Sequence, residues 1–226
     1  MQRGGHRLVR AAVVVAVLGV VLPLLWIPSL VLGILLLVRR RVAIGVGVLV
    51  IGVFIAPGIG LELYRAFVLQ PFTARSQSME PAVRLGERFV VLKLGRSGEL
   101  GDVVVLRVPA GALESRCATE PPAGAMCARA TPQLSETTFV MRVVAVGGDR
   151  ISMRGGRVIR NGRPERTQGL SPCDADGCDF PREIAVPAGQ VFVLGDNRGG
   201  SDDSRFWGPV PREAIVGRRW FTYAGG

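Results

Sequence analysis

The stretch Thr138-Phe139-Val140-Met141-Arg142-Val143-Val144-Ala145-Val146, closed by Gly147-Gly148-Asp149-Arg150, decides the fold class. Valine and phenylalanine crowd the preceding turn of a helix but pack well on a pleated surface, and Gly-Gly-Asp is turn chemistry, so this run reads as a strand. Shorter runs of the same character predict strands over Arg88–Leu94, Asp102–Val108, Arg157–Ile159, Gln190–Leu194 and Ile215–Thr222. No helical period competes with them, and from Gly86 onward the chain reads as an all-β body. The stretches Pro109–Leu134 and Asn161–Pro187 read as long excursions from this framework.

Each excursion carries one close pair of cysteines, Cys117 with Cys127 and Cys173 with Cys178, in surroundings rich in Pro, Gly, Ala or Asp. A thiolate metal site needs knuckle spacing or histidine partners, and the single histidine, His6, lies at the far end of the chain. The pairs therefore read as two small-loop disulfides, which belong to an oxidising compartment. The net charge of +10 comes almost wholly from arginine, with Lys93 the one lysine. These arginines are scattered rather than clustered with stacking aromatics, which speaks against nucleic acid as a partner.

Ahead of the β body, residues 11–38 carry no charge, and 42–61 form a second uncharged run of about the length that crosses a bilayer. Pro23 and Pro28 interrupt the first run, so a tilted helix and a shallow hairpin both remain open there. Arg39, Arg40 and Arg41 between the runs mark a cytoplasmic turn, which sends the second span and the body behind it outward. The expected organisation is a membrane anchor over residues 1–70 and an extracytoplasmic β-rich domain over 71–226.

Four segments of this body, in order and in spacing, resemble the type I signal peptidases, membrane serine proteases that remove signal peptides from exported proteins. Ser76-Gln77-Ser78-Met79-Glu80-Pro81 is similar to the family's nucleophile box, with Gln77 in place of the usual glycine. Gly101-Asp102-Val103-Val104-Val105 resembles a structural strand, and Phe139–Arg150 the strand that bears the base. Gly195-Asp196-Asn197-Arg198-Gly199-Gly200-Ser201-Asp202-Asp203-Ser204-Arg205 is similar to the most diagnostic box, with Gly200 in place of asparagine, and Phe206-Trp207-Gly208-Pro209-Val210-Pro211 continues the pattern. The resemblance implies Ser78 as nucleophile, the Ser76 hydroxyl as an oxyanion donor and Ser201 as the residue that orients the base. It further implies structural support from Arg142, Asp203 and Arg205. The fold it implies is a partly open antiparallel barrel behind N-terminal transmembrane helices, with no cofactor and no metal.

Met141 stands where the family has its catalytic lysine. A serine hydroxyl is a poor nucleophile until a base accepts its proton, and a thioether cannot do so. Arg142 stays protonated, His6 precedes both spans, and Lys93 falls on the strand after the nucleophile box. Asp149, Asp196 and Asp203 remain as carboxylates whose pKa burial could raise.

Two functions follow from the resemblance. One is a signal peptidase-like serine endopeptidase of the plasma membrane, taking signal peptides as strands added at an edge near Ser78, with a surface near Phe72 and Leu85 against the lipid bilayer. The other is a catalytically silent homologue that binds signal peptides or regulates an active paralogue. A self-cleaving repressor is disfavoured by the anchor and by the lack of a DNA-reading helix pair.

Overall fold

The computed structural model describes residues 31, 34, 68–95, 98–166, 169–173 and 177–225. Both hydrophobic runs and the basic turn lie outside the described residues, apart from Val31 and Ile34, which are helical. No helix among the described residues is long and apolar enough to cross a membrane. The chain divides into two compact units, Met1–Gln70 and Pro71–Gly226.

The strands are β1 (Leu69–Thr73), β2 (Arg88–Leu92), β3 (Val103–Pro109), β4 (Leu134–Val146), β5 (Arg150–Arg154), β6 (Arg157–Arg160), β7 (Arg163–Pro164), β8 (Phe180–Ala185), β9 (Gln190–Leu194), β10 (Val210–Pro211) and β11 (Ile215–Ala224). They form a seven-stranded sheet in the order β1-β2-β11-β3-β4-β9-β10 and a four-stranded sheet in the order β7-β6-β5-β8. The mostly β architecture is as expected. The second sheet is not: Asn161–Pro187 contains β7 and β8 rather than an irregular excursion, and β5 precedes it. Their residues carry little strand signal, because β8 buries only Ile184 and gains its ladder by pairing with β5. The excursion Pro109–Leu134 does stay largely irregular, with one short 3-10 turn at Ala112–Glu114.

The valine run of β3 is continuous rather than alternating because both of its faces are covered. Val104, Leu106 and Val108 enter a core with Met141, Val143, Val193 and Trp207, while Val105 enters a second core with Met79, Val83, Phe89 and Val91. β4 pairs with β3 through Val104↔Met141 and Val103↔Arg142, and with β9 only from Arg142↔Leu194 onward. Residues 134–141 of β4 therefore have β3 on one side, while on the other β9 gives way to the loop that follows Leu194. Leu85 is exposed, whereas Phe72 is half-buried and stacked on Phe89 with ring centroids 6.3 Å apart.

Candidate active site

Ser78 lies in the turn between β1 and β2, Met141 on β4 and Ser201 in the loop after β9, and the sheet brings the three together. β9 ends at Leu194 opposite Arg142, so the chain beyond it is delivered to the level of Met141. There the Ser201 Oγ lies 4.0 Å from the Met141 Sδ. Ser76 Oγ and Ser78 Oγ are at hydrogen-bond distance, 2.9 Å. The Ser78 carbonyl accepts from the Asn197 N–H at 3.0 Å, and the Gln77 carbonyl from Asn197 Nδ2 at 3.3 Å. Gln77 does not take a left-handed φ, so the turn accommodates it in place of glycine without backbone strain.

Gly195 is the point of closest approach. A Cβ built on it would lie 2.3 Å from both the Ser201 Oγ and the Ser78 carbonyl oxygen. Those two oxygens are therefore within twice that distance of each other, with only a glycine backbone beside them.

An open groove of about 1130 Å³ runs past these residues, lined by Phe72 and Thr73 of β1, by residues 136–141 of β4, and by Ser76, Ser78, Gly200 and Asp202. Met141 is 1% exposed and belongs to the apolar core beneath the groove. An ammonium at that position would lose its hydration, which favours the neutral amine. The methionine buries its thioether there instead and leaves the site with no amine.

Charged side chains under the loop are held in pairs. Arg205 spans Asp203 in a two-pronged contact, 2.8 and 2.9 Å, and also donates to the Ser201 carbonyl at 3.0 Å; both side chains are buried. Asp203 further accepts from the Gly195 N–H at 3.1 Å. Arg142 grips both oxygens of Asp196 at 2.7 and 2.6 Å and donates to the Gly101 carbonyl, and the hydrogen bonds to Asp196 lift its pKa further above the usual arginine value. Asp149 accepts from the Val146 N–H, from Asn161 and from Arg160; burial opposes these bonds, but together they hold its carboxyl below the ordinary value. Each of the three carboxylates singled out from the sequence thus faces its own arginine.

Residues 46–224 match the family described as signal peptidase, peptidase S26. The chain belongs to the signal peptidase family. A signal peptidase I of Leptolyngbya laminosa is 34% identical over 176 residues, covering 76% of this chain and 75% of that one. Thylakoidal processing peptidase 1 of Arabidopsis thaliana is 34% identical over 165 residues, which are 71% of this chain and 44% of the plant protein. A solved signal peptidase I of Enterococcus faecalis V583 is 18% identical, with a TM-score of 0.30 over 53% of this chain and 96% of that one. That structural likeness is too slight to bear on the fold.

Within this signal peptidase-family body the cysteines form the bonds Cys117–Cys127 and Cys173–Cys178. Three residues that sequence reasoning passed over also shape the site. Arg198, buried, donates to the Gly195 and Gly156 carbonyls and pairs with Glu165. Ser171 donates its hydroxyl to the Glu80 carbonyl at 3.1 Å and its N–H to the Asp196 carbonyl at 3.0 Å, tying the nucleophile turn to the loop after β9. Asp202 enters the groove wall. Glu165 and Ser171 lie far from the motifs, and no local pattern marks them. Asp202 was in plain sight between Ser201 and Asp203.

Proposed function

We propose that this chain is an extracytoplasmic, membrane-bound serine endopeptidase that removes signal peptides from exported proteins, with Ser78 as nucleophile and Ser76 as an oxyanion donor. The observation that carries the reading is the groove: Ser76 and Ser78, 2.9 Å apart, open onto residues 136–141 of β4, a stretch that β9 does not pair. A strand edge takes an extended peptide through main-chain hydrogen bonds, which brings a scissile carbonyl to the serine without demanding a particular side chain at every position. Membership of the signal peptidase family and the relatives named signal peptidase I support the same substrate class. Ser201, Arg142, Asp203 and Arg205 serve as positioning residues around Ser78. The membrane anchor is supported by the two uncharged runs of residues 11–38 and 42–61.

The buried Met141 favours a second reading, a silent homologue that binds signal peptides without cutting them. Purified full-length protein in detergent, its Ser78→Ala variant and its Met141→Lys variant, each given a signal-peptide substrate, separate the two. Cleavage by the natural chain that vanishes in Ser78→Ala establishes the peptidase. Cleavage by Met141→Lys alone establishes a silent homologue with an intact site; cleavage by neither overturns the peptidase reading, and failure of the Ser78→Ala variant to bind the signal peptide overturns the silent one.

A further inference from the structure

Both strand walls of the groove run in one direction. β1 meets β2 as an antiparallel hairpin, with the Ala74 N–H donating to the Glu87 carbonyl and the Gly86 N–H to the Ala74 carbonyl, and β2, β11, β3 and β4 follow in antiparallel pairs. β1 and β4 are therefore parallel. Pro71, Phe72, Thr73 and Arg75 on one wall and residues 136–141 on the other all lead toward Ser76 and Ser78. Arg75 adjoins Ser76, and Arg88 directly follows Glu87 at the closed end of the hairpin, so the two arginines of the lining stand at the nucleophile end. Glu136 stands at the far end, five residues before Met141 and about 16 Å back along an extended strand.

We infer that Glu136 is a specificity determinant, selecting signal peptides with a basic residue at about the fifth or sixth position before the scissile bond. This rests on the reading of the groove as a signal-peptide site. A peptide strand rises about 3.3 Å per residue, as β4 does, so a peptide whose scissile carbonyl lies at Ser78, level with Met141, passes Glu136 about five residues away. The part before the scissile bond takes that direction because β1 begins at Leu69, close behind the uncharged run of residues 42–61, and the apolar core of a signal peptide is held in the bilayer that such a run crosses.

Glu136 is free to pair with a ligand. It is exposed, and among the described residues its carboxylate has no hydrogen bond or ion pair. The other carboxylate of the lining, Asp202, bonds with Ser115, which lies outside the groove. Residues 134–141 of β4 have β3 on one side and no strand on the other, so a peptide laid along that edge is bound by main-chain hydrogen bonds whatever its side chains. Glu136 adds discrimination to that affinity: a cation beside it is attracted and an anion repelled. Because the groove is open, each pair is worth little and is screened by salt, which gives the effect a signature.

The test reads binding rather than cleavage, so it does not depend on the missing lysine. Full-length Ser78→Ala protein in uncharged detergent, alone and with Glu136→Gln or Glu136→Lys added, is titrated with labelled signal peptides that carry Lys, Gln or Glu at the fifth or sixth position before the cut, and anisotropy gives Kd. With Glu136 present the lysine peptides are expected to bind about three- to tenfold more tightly than the glutamate peptides at low salt. Glu136→Gln should level the series and Glu136→Lys reverse it, and 1 M salt, where the Debye length is about 3 Å, should abolish the preference in every variant. Equal binding of the lysine and glutamate peptides by the Glu136 protein overturns the inference, as does a preference that survives unchanged in Glu136→Lys. Binding of none of the peptides by any variant sinks the groove reading itself, and the inference with it.

Discussion

Gly195 has no room for a methyl group. Its hydrogen faces the Ser201 hydroxyl and the Ser78 carbonyl, and one of its two contacts is backbone that cannot rotate away. Gly195→Ala is expected to lower stability by about 1–3 kcal/mol through overpacking, read by urea denaturation. It should also part the Ser78 turn from the Ser201 loop, so that any signal-peptide cleavage, in the natural chain or in Met141→Lys, falls more than the stability change explains. Equal activity with lowered stability would show that the contact only packs. At this scale motif order named residues that stand in two close pairs, Ser76 with Ser78 at 2.9 Å and Met141 with Ser201 at 4.0 Å. What was not legible is the state of the carboxylates. Asp196, Asp202 and Asp203 stand within one loop, and only packing decides that the outer two face arginines while Asp202 keeps an unpartnered oxygen.

Both disulfide-closed loops converge on one arginine. The Cys127 N–H donates to the Arg205 carbonyl, and the Gly177 carbonyl, beside Cys178, accepts from Arg205 Nη1 at 2.7 Å. Segments with so little regular structure lose much chain entropy on ordering, and the two cross-links reduce that loss by restricting the unfolded chain. Removing either bond, as Cys117→Ser with Cys127→Ser or as Cys173→Ser with Cys178→Ser, is expected to lower stability by about 2–3 kcal/mol, measured by denaturation with and without reductant. An unchanged midpoint would mean that the loops are held by their hydrogen bonds alone. The cysteine pairing was readable because each pair sits within one irregular stretch. The strands β5, β7 and β8 were not, because Ile151, Met153 and Ile184 become core only when β5 and β8 lie side by side.

Among the described residues, the three apolar cores are assembled from residues beyond Gln70. A chain lacking residues 1–67 is therefore expected to fold cooperatively with both disulfides formed, and to lose its stable sedimentation with lipid vesicles while the full chain keeps it. Circular dichroism with thiol titration checks the first outcome and vesicle co-sedimentation the second; an unfolded truncated chain would place part of the folding information in the anchor. By itself the sequence determined the β class, two cysteine pairs, two uncharged runs and a family pattern lacking its lysine, since each is written in local composition or in motif spacing. Only the tertiary structure decided which strand edge meets the groove, how Ser171 and Arg198 tie distant segments together, and which carboxylates of the loop after β9 grip arginines. Those are outcomes of pairing between residues up to about a hundred positions apart, and strand pairing across such distances leaves no periodic mark on the sequence.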